Sequence, residues 1–134
     1  MHKICYVFDL DDTLVFYGKK GPTIPRQTFH TLRQLRGPIV VVSYNPLAHI
    51  LASELGLMKY VNVIICGDCD RNVLVENAIK NFEDSQLVYF DDRVDNLSVI
   101  KQFYPRALCY HVSSALLLHR IIKRHLEESF TNEK

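Results

Sequence analysis

The sequence predicts an α/β domain: a parallel sheet with helices packed on both faces. Three observations carry that expectation. Five short apolar runs recur along the chain, and each is continuous rather than alternating, as in strands buried on both faces. Segments with helical spacing separate them, and a strand–helix–strand alternation implies right-handed crossovers in one parallel sheet. Polar residues then collect just after the apolar runs, where ligands of such sheets bind.

The predicted strands are Ile4–Phe8, Pro38–Val42, Val61–Cys66, Leu87–Phe90 and Ala107–Val112. The second is almost entirely Val and Ile, residues that suit a pleated, buried surface. In Arg26–Leu35, Phe29, Leu32 and Leu35 fall near one helical face. In Leu47–Leu55 the apolar face is Leu47, Ile50, Leu51 and Leu55, with Pro46 at the first helical position and Gly56 as the stop. Val73–Phe82 groups Val75, Ala78, Ile79 and Phe82, and Asp95–Phe103 ends before Pro105. Ser114–Glu128 is the longest predicted helix, with Ser113 or Ser114 as its cap. A single domain over residues 1–128 is expected, followed by a flexible tail at 129–134. Val15–Pro25, with Gly18, Lys19, Lys20, Gly21 and Pro22, reads as a flexible flap too short for a separate cap domain.

Composition narrows the function. The chain has 134 residues, 48% hydrophobic and 23% charged, ordinary for one globular domain. A formal net charge of +1 gives no global electrostatic case for nucleic acid or an anionic membrane. No apolar run approaches the roughly 18 residues of a membrane span. The first predicted strand begins directly after Met1-His2-Lys3, which leaves no room for a signal peptide and suggests a cytoplasmic protein. Cys66-Gly-Asp-Cys69 is a C-x-x-C without a second ligand pair at zinc spacing, so free thiols in a reducing compartment are the favoured reading. The stripe Arg120, Lys123, Arg124 and His125 reads as the wet face of an amphipathic helix.

The chemistry lies at the strand ends. The first run stops in Asp9, Asp11 and Asp12, followed by Thr13. Negative charge packed that closely needs neutralising, and hard oxygen ligands suit Mg²⁺. Asp9 is placed to act as a carboxylate nucleophile. Asp11, two residues on, is placed to protonate a leaving oxygen and then activate water, and its backbone carbonyl is a metal-ligand candidate. Ser43 and the Tyr44 backbone N–H follow the second run and suit a phosphate oxygen. Asn45 is read as a helix cap only. Asp91 and Asp92 follow the fourth run, and adjacent carboxylates there again favour a metal.

The string D-x-D-x-T after an apolar strand resembles the signature of the haloacid dehalogenase superfamily of aspartate-nucleophile phosphotransferases. Val42-Ser-Tyr-Asn-Pro46 resembles its second motif, and D-D-x-x-x-N, from Asp91 to Asn96, resembles its fourth in the magnesium-dependent phosphatase branch. The resemblance spans Ile4 to about Val112. It implies a three-layer, Rossmann-like α/β/α sandwich with strand order 5-4-1-2-3 and a minimal cap. It also implies Asp92 as a direct metal ligand beside Asp9, with Asp91 behind it or bridged by water, and Asp95 and Asn96 as caps of the next helix. The third motif departs from the pattern. Arg71 stands about where the family has a charge-balancing Lys, whereas Lys80 lies nine residues further, about 13 Å along a helix. Lys19 or Lys20 of the flap offers another positive charge.

The implied activity is Mg²⁺-dependent hydrolysis of a phosphomonoester through a phospho-aspartate on Asp9, with substrate held by Ser43, Tyr44 and Arg71. The substrate class stays open among a small molecule, a phosphoprotein and a nucleotide; nucleic acid is possible but not indicated by charge. The oligomeric expectation is a monomer or weak dimer. The alternative is a catalytically weak module of this fold that binds a phosphorylated protein or a nucleic-acid end.

Overall fold

A computed structural model describes residues 3–132. The strands are β1 (Ile4–Asp9), β2 (Phe16–Gly18), β3 (Gly21–Thr23), β4 (Ile39–Ser43), β5 (Val63–Cys66), β6 (Gln86–Asp91) and β7 (Leu108–His111). The helices are α1 (Arg26–Arg33), α2 (Ala48–Glu54), α3 (Arg71–Ala78), α4 (Val94–Phe103) and α5 (Ala115–Asn132). One 3₁₀ turn, Leu57–Lys59, follows α2.

Five strands form one sheet in the order β5-β4-β1-β6-β7, and every pairing is parallel. Counted without the hairpin strands β2 and β3, and read from the β7 edge, that order is 5-4-1-2-3. Alternation along β1 then makes two cores. Tyr6 and Phe8 face the layer of α1, α2 and α5, where Leu32, Ala48, Leu118 and Ile122 are buried. Cys5 and Val7 face α3 and α4, with Leu74, Val75 and Ile100. Phe8 stacks on Phe90 at 4.6 Å between centroids, and Phe90 on Tyr110 at 5.5 Å, which ties three adjacent strands on one face.

The element boundaries moved where hydrogen bonds outweigh local pattern. The helix after β5 begins at Arg71 rather than Val73 and stops at Ala78 rather than Phe82. Strand β4 includes Ser43, whose carbonyl accepts from the Gly67 N–H at 3.1 Å. Gly56 ends the α2 segment in the left-handed region at φ 81°. Ser114 Oγ accepts from the Leu117 N–H at 3.1 Å, so Ser114 is the cap of α5. Helix α5 continues to Asn132, past the expected stop at Glu128; 133–134, the end of the expected tail, lie outside the described residues.

Within the flap, Phe16–Gly18 and Gly21–Thr23 form an antiparallel hairpin, with Gly21 at φ 99°. One expectation needs correction. His125 does not share the wet face of α5. It is 5% exposed and bonds through Nε2 to the Tyr6 hydroxyl at 3.2 Å. Burial lowers its pKa and favours the neutral ring.

The entry to β4 depends on one close approach. A Cβ on Gly37 would sit 2.3 Å from the Ile4 carbonyl oxygen. Neither atom can move freely, because the Tyr6 N–H next door donates to the Pro38 carbonyl at 2.9 Å. Gly37→Ala is therefore expected to destabilise the fold by about 1–3 kcal/mol. Urea denaturation checks it, and a variant as stable as wild type would refute the close-contact argument.

Candidate active site

The ends of β1 and β6 lie side by side, because Phe8 pairs with Phe90 and the next residues are Asp9 and Asp91. Asp92 follows directly. Carboxylate oxygens of Asp9, Asp91 and Asp92 lie within 4.8 Å of one another. Among the described residues this is the only group of three or more His, Cys, Asp or Glu arranged to share a metal ion.

Each carboxylate is held differently. Asp9 is 6% exposed, and its Oδ1 accepts from Arg71 Nη2 at 3.1 Å. Thr13 Oγ1 reaches Asp9 Oδ2 at 3.5 Å. Burial first, then the nearby Asp91 charge, pushes the Asp9 carboxyl up to about 8, against the opposing pull of Arg71. Asp91 is fully buried and takes three donors: Tyr89 hydroxyl at 2.5 Å, Asn96 Nδ2 at 3.0 Å and the Arg93 N–H at 2.9 Å. Burial also raises Asp91. Asp92 is half-buried, and its backbone carbonyl meets His111 Nε2 at 2.8 Å.

Arg71 is the positive charge of the site. It is 3% exposed, at the first position of α3. Its Nη1 donates to the Val42 carbonyl at 3.1 Å, and its guanidinium carbon lies 4.2 Å from the centre of the Tyr44 ring. Its Nε–H is buried with no partner. Lys80 is exposed beyond the end of α3 and lines a cleft with Lys3 and Ile4, at the opposite end of the sheet. Lys19 and Lys20 are exposed at the hairpin turn.

Asp11 stands apart from the trio. It lies in the turn after β1, next to Asp12 at φ 64°. Its Oδ1 accepts from the Tyr17 hydroxyl at 2.5 Å and its Oδ2 from Asn45 Nδ2 at 3.3 Å. The Tyr17 phenol is raised to about 12, by burial and then by that bond. Ser43 is buried and its Oγ accepts from the Asn45 N–H at 3.0 Å, which leaves its own O–H free to donate.

The structure thus brings Asp9, Asp91, Asp92 and Arg71 together, with Ser43 and Tyr44 at the neighbouring strand end. The Asp11 carboxylate is turned to Tyr17 and Asn45 instead of the metal-type cluster. Four polar side chains escaped the sequence reading in these roles. Asn96 was expected to cap α4, but it is buried against Asp91, while Asp95 pairs with Arg93 at 2.8 Å on the surface. Asn45 does accept from the Leu47 N–H at 2.9 Å, and it also reaches Asp11. Tyr89 shares the Asp91 face of β6 by simple alternation, a signal that was present in the sequence. Tyr17 had no such signal, because only the hairpin brings it back. Cys66 and Cys69 are free thiols, with Cys66 Sγ 3.8 Å from His49 Nδ1.

The set of donors suits a hard divalent cation: three clustered carboxylates face a single Arg, and burial holds two of them above the ordinary carboxylate range. Comparison with solved structures agrees with this architecture. The cobalt-bound deoxy-D-mannose-octulosonate 8-phosphate phosphatase from Haemophilus influenzae superposes with a TM-score of 0.56 at 13% identity, over 90% of this chain and 86% of that one. The chain shares the fold of this phosphatase. A hydrolase from Legionella pneumophila assigned to HAD subfamily III A matches at a TM-score of 0.53 and 13% identity, over 95% of this chain and 87% of that one. The 3-deoxy-D-manno-octulosonate 8-phosphate phosphatase from Moraxella catarrhalis, in complex with magnesium, phosphate and KDO, matches at 0.51 and 21% identity. That match covers 75% of this chain and 64% of that one. No protein-family model matches the chain, and no curated protein matches it in sequence. No described helix is long and apolar enough to cross a membrane.

The raised Asp9 carboxyl has a consequence for the metal-free protein. A group raised in the folded state stabilises fully below its unfolded value, near 3.8, and that stabilisation is lost as pH rises through about 8. His125, lowered by burial, works in the opposite direction at acid pH, so the comparison with Asp9→Asn isolates the carboxylate. In EDTA, the melting temperature of wild type should fall relative to Asp9→Asn between pH 5 and pH 8. A gap that stays constant or reverses across that window would contradict the assignment.

Proposed function

We propose that the protein is a magnesium-dependent phosphomonoesterase that works through a phospho-aspartate on Asp9. The observation that carries this is the buried Asp9–Arg71 pair inside a three-carboxylate cluster at the strand ends. A charge group so costly to bury has no structural task that an apolar cluster would not do better.

Asp9 and Asp92 would hold the cation directly, with the Asp11 backbone carbonyl. Asp91 would act from behind, since three protein donors already take its oxygens. Bound Mg²⁺ supplies charge neutralisation, so that a phosphate dianion can approach a carboxylate. Ser43 O–H, the Tyr44 N–H and the unpartnered Nε–H of Arg71 are then the donors for phosphate oxygens. Asp9 attacks phosphorus in line and the bond to the leaving oxygen breaks. Protonated Asp11 gives that oxygen its proton. The Asp11 carboxylate next takes a proton from water, whose oxygen attacks the phospho-aspartate. Orthophosphate leaves, and Asp9 and protonated Asp11 are restored. Most of the rate enhancement comes from positioning and fixed charge.

A small phosphorylated substrate is the proposed class. The Moraxella catarrhalis neighbour holds phosphate and KDO, and here a short hairpin reaches the site through Tyr17.

Hydrolysis of p-nitrophenyl phosphate with and without Mg²⁺ tests the proposal. Wild type should turn over only with the metal, and Asp9→Asn should be inactive while remaining folded. Turnover that survives in Asp9→Asn would end the phospho-aspartate mechanism, whereas Mg²⁺ binding without turnover would favour the binding-module alternative. Arg71→Ala should lower kcat by roughly 100-fold or more, because it removes the only buried cation described at the site. Arg71→Lys should recover part of that loss but not all, since one ammonium cannot serve Asp9 and the Val42 carbonyl as a planar fork does.

A further inference from the structure

We infer that Tyr17 is a positioning residue for Asp11, carried over the site by the β2–β3 hairpin; the inference rests on the phosphomonoesterase reading above. The two oxygens of Asp11 are held by donors from two separate elements. Tyr17, from the hairpin, takes Oδ1 at 2.5 Å, and Asn45, from the loop after β4, takes Oδ2 at 3.3 Å. One anchor would leave the carboxylate free to swing about it. Two anchors on different oxygens fix its reach and its plane.

Asp11 needs this help. It sits past the end of β1, in a turn, and is only half-buried. Packing alone would leave it several rotamers, and proton transfer to a leaving oxygen requires one geometry. The phenol also suits both halves of the cycle. It donates to Asp11 as a carboxylate and can accept from Asp11 as a carboxylic acid, because a phenol oxygen does both. Asn45 Nδ2 can only donate.

A purely structural role fits Tyr17 poorly. The residue is 52% exposed, and a hydrogen bond in that setting contributes little to folding. The short strands of the hairpin pair with each other and with no strand of the main sheet. The hydroxyl of Tyr17 is thus spent on the residue proposed to move the proton.

Leaving-group dependence tests the inference. p-Nitrophenolate departs without a proton, whereas the alkoxide of glycerol 2-phosphate needs one. Tyr17→Phe removes only the hydroxyl. Single-turnover release of the leaving group, with saturating substrate and Mg²⁺, should slow by roughly 10-fold for glycerol 2-phosphate in Tyr17→Phe and change little for p-nitrophenyl phosphate. Thermal melts should show the variant as stable as wild type. In an Asp11→Asn background, the added Tyr17→Phe change should have no further effect on the ratio of the two rates. Equal slowing of both esters, no slowing of either, or an undiminished effect in Asp11→Asn would overturn the positioning role. If wild type turned over neither ester, the phosphatase reading itself would fail, and this inference with it.

Discussion

The site is organised around the ion pair between Arg71 and Asp9. Three carboxylates share the ends of β1 and β6, two of them buried and Asp92 half-buried, and each repels the others. Arg71 offsets one of those charges directly. Asp91 is stabilised by dipoles instead, through Tyr89, Asn96 and the Arg93 N–H. The balance still leaves negative charge in excess, and that excess makes the cluster receptive to a divalent cation. A site already neutral within itself would have little affinity for one.

The geometry of the sheet explains why an Arg holds this place. Asp9 ends β1, whereas Arg71 follows β5, and β4 lies between them. Helix α3 packs against both β4 and β5, which brings its first residue within reach of the β1 end. One guanidinium nitrogen meets the Val42 carbonyl, paired in register with Asp9, and the other reaches the carboxylate. The Tyr44 ring supports the guanidinium near the β4 end. A planar fork with several donors can satisfy both contacts from one rigid group. Where the resemblance implies a Lys, Arg71 thus sets a cation beside Asp9, anchored from the β5 side of the sheet.

The sequence made the scaffold legible because burial on both faces leaves a strong mark. Val40, Val41 and Val42 admit few readings other than a central strand, and the polar residues at the ends of such strands follow directly. Asp9, Asp91, Asp92 and Ser43 were visible for that reason. Local patterns misled where a residue has both a nearby and a distant partner. Asn96 lies in the first turn of α4, so capping was the economical guess, yet its amide reaches back to Asp91. His125 sits among Arg and Lys on α5, yet its ring turns inward to Tyr6, 119 residues away. The Tyr17 contact depends on the hairpin turn and on Asp12 at positive φ, neither of which periodicity reports.

Asp9 and Asp11 show how two identical side chains, two residues apart, come to suit opposite tasks. Asp9 is the last residue of a paired strand, so the ladder fixes its backbone and the layers on either side exclude water. Burial and like charge raise its carboxyl, so a cation bound there would favour the anion that the proposed attack on phosphorus requires. Asp11 lies beyond the ladder, half-exposed, with two neutral donors in place of a charged partner. It is outside the carboxylate cluster and half-exposed, which suits the proton transfer proposed for it. Environment, rather than residue type, would then divide the proposed nucleophile from the proposed acid–base group. The division follows from where the strand stops: Asp9 has both neighbouring strands beside it, and Asp11 has only a turn, a hairpin and a loop.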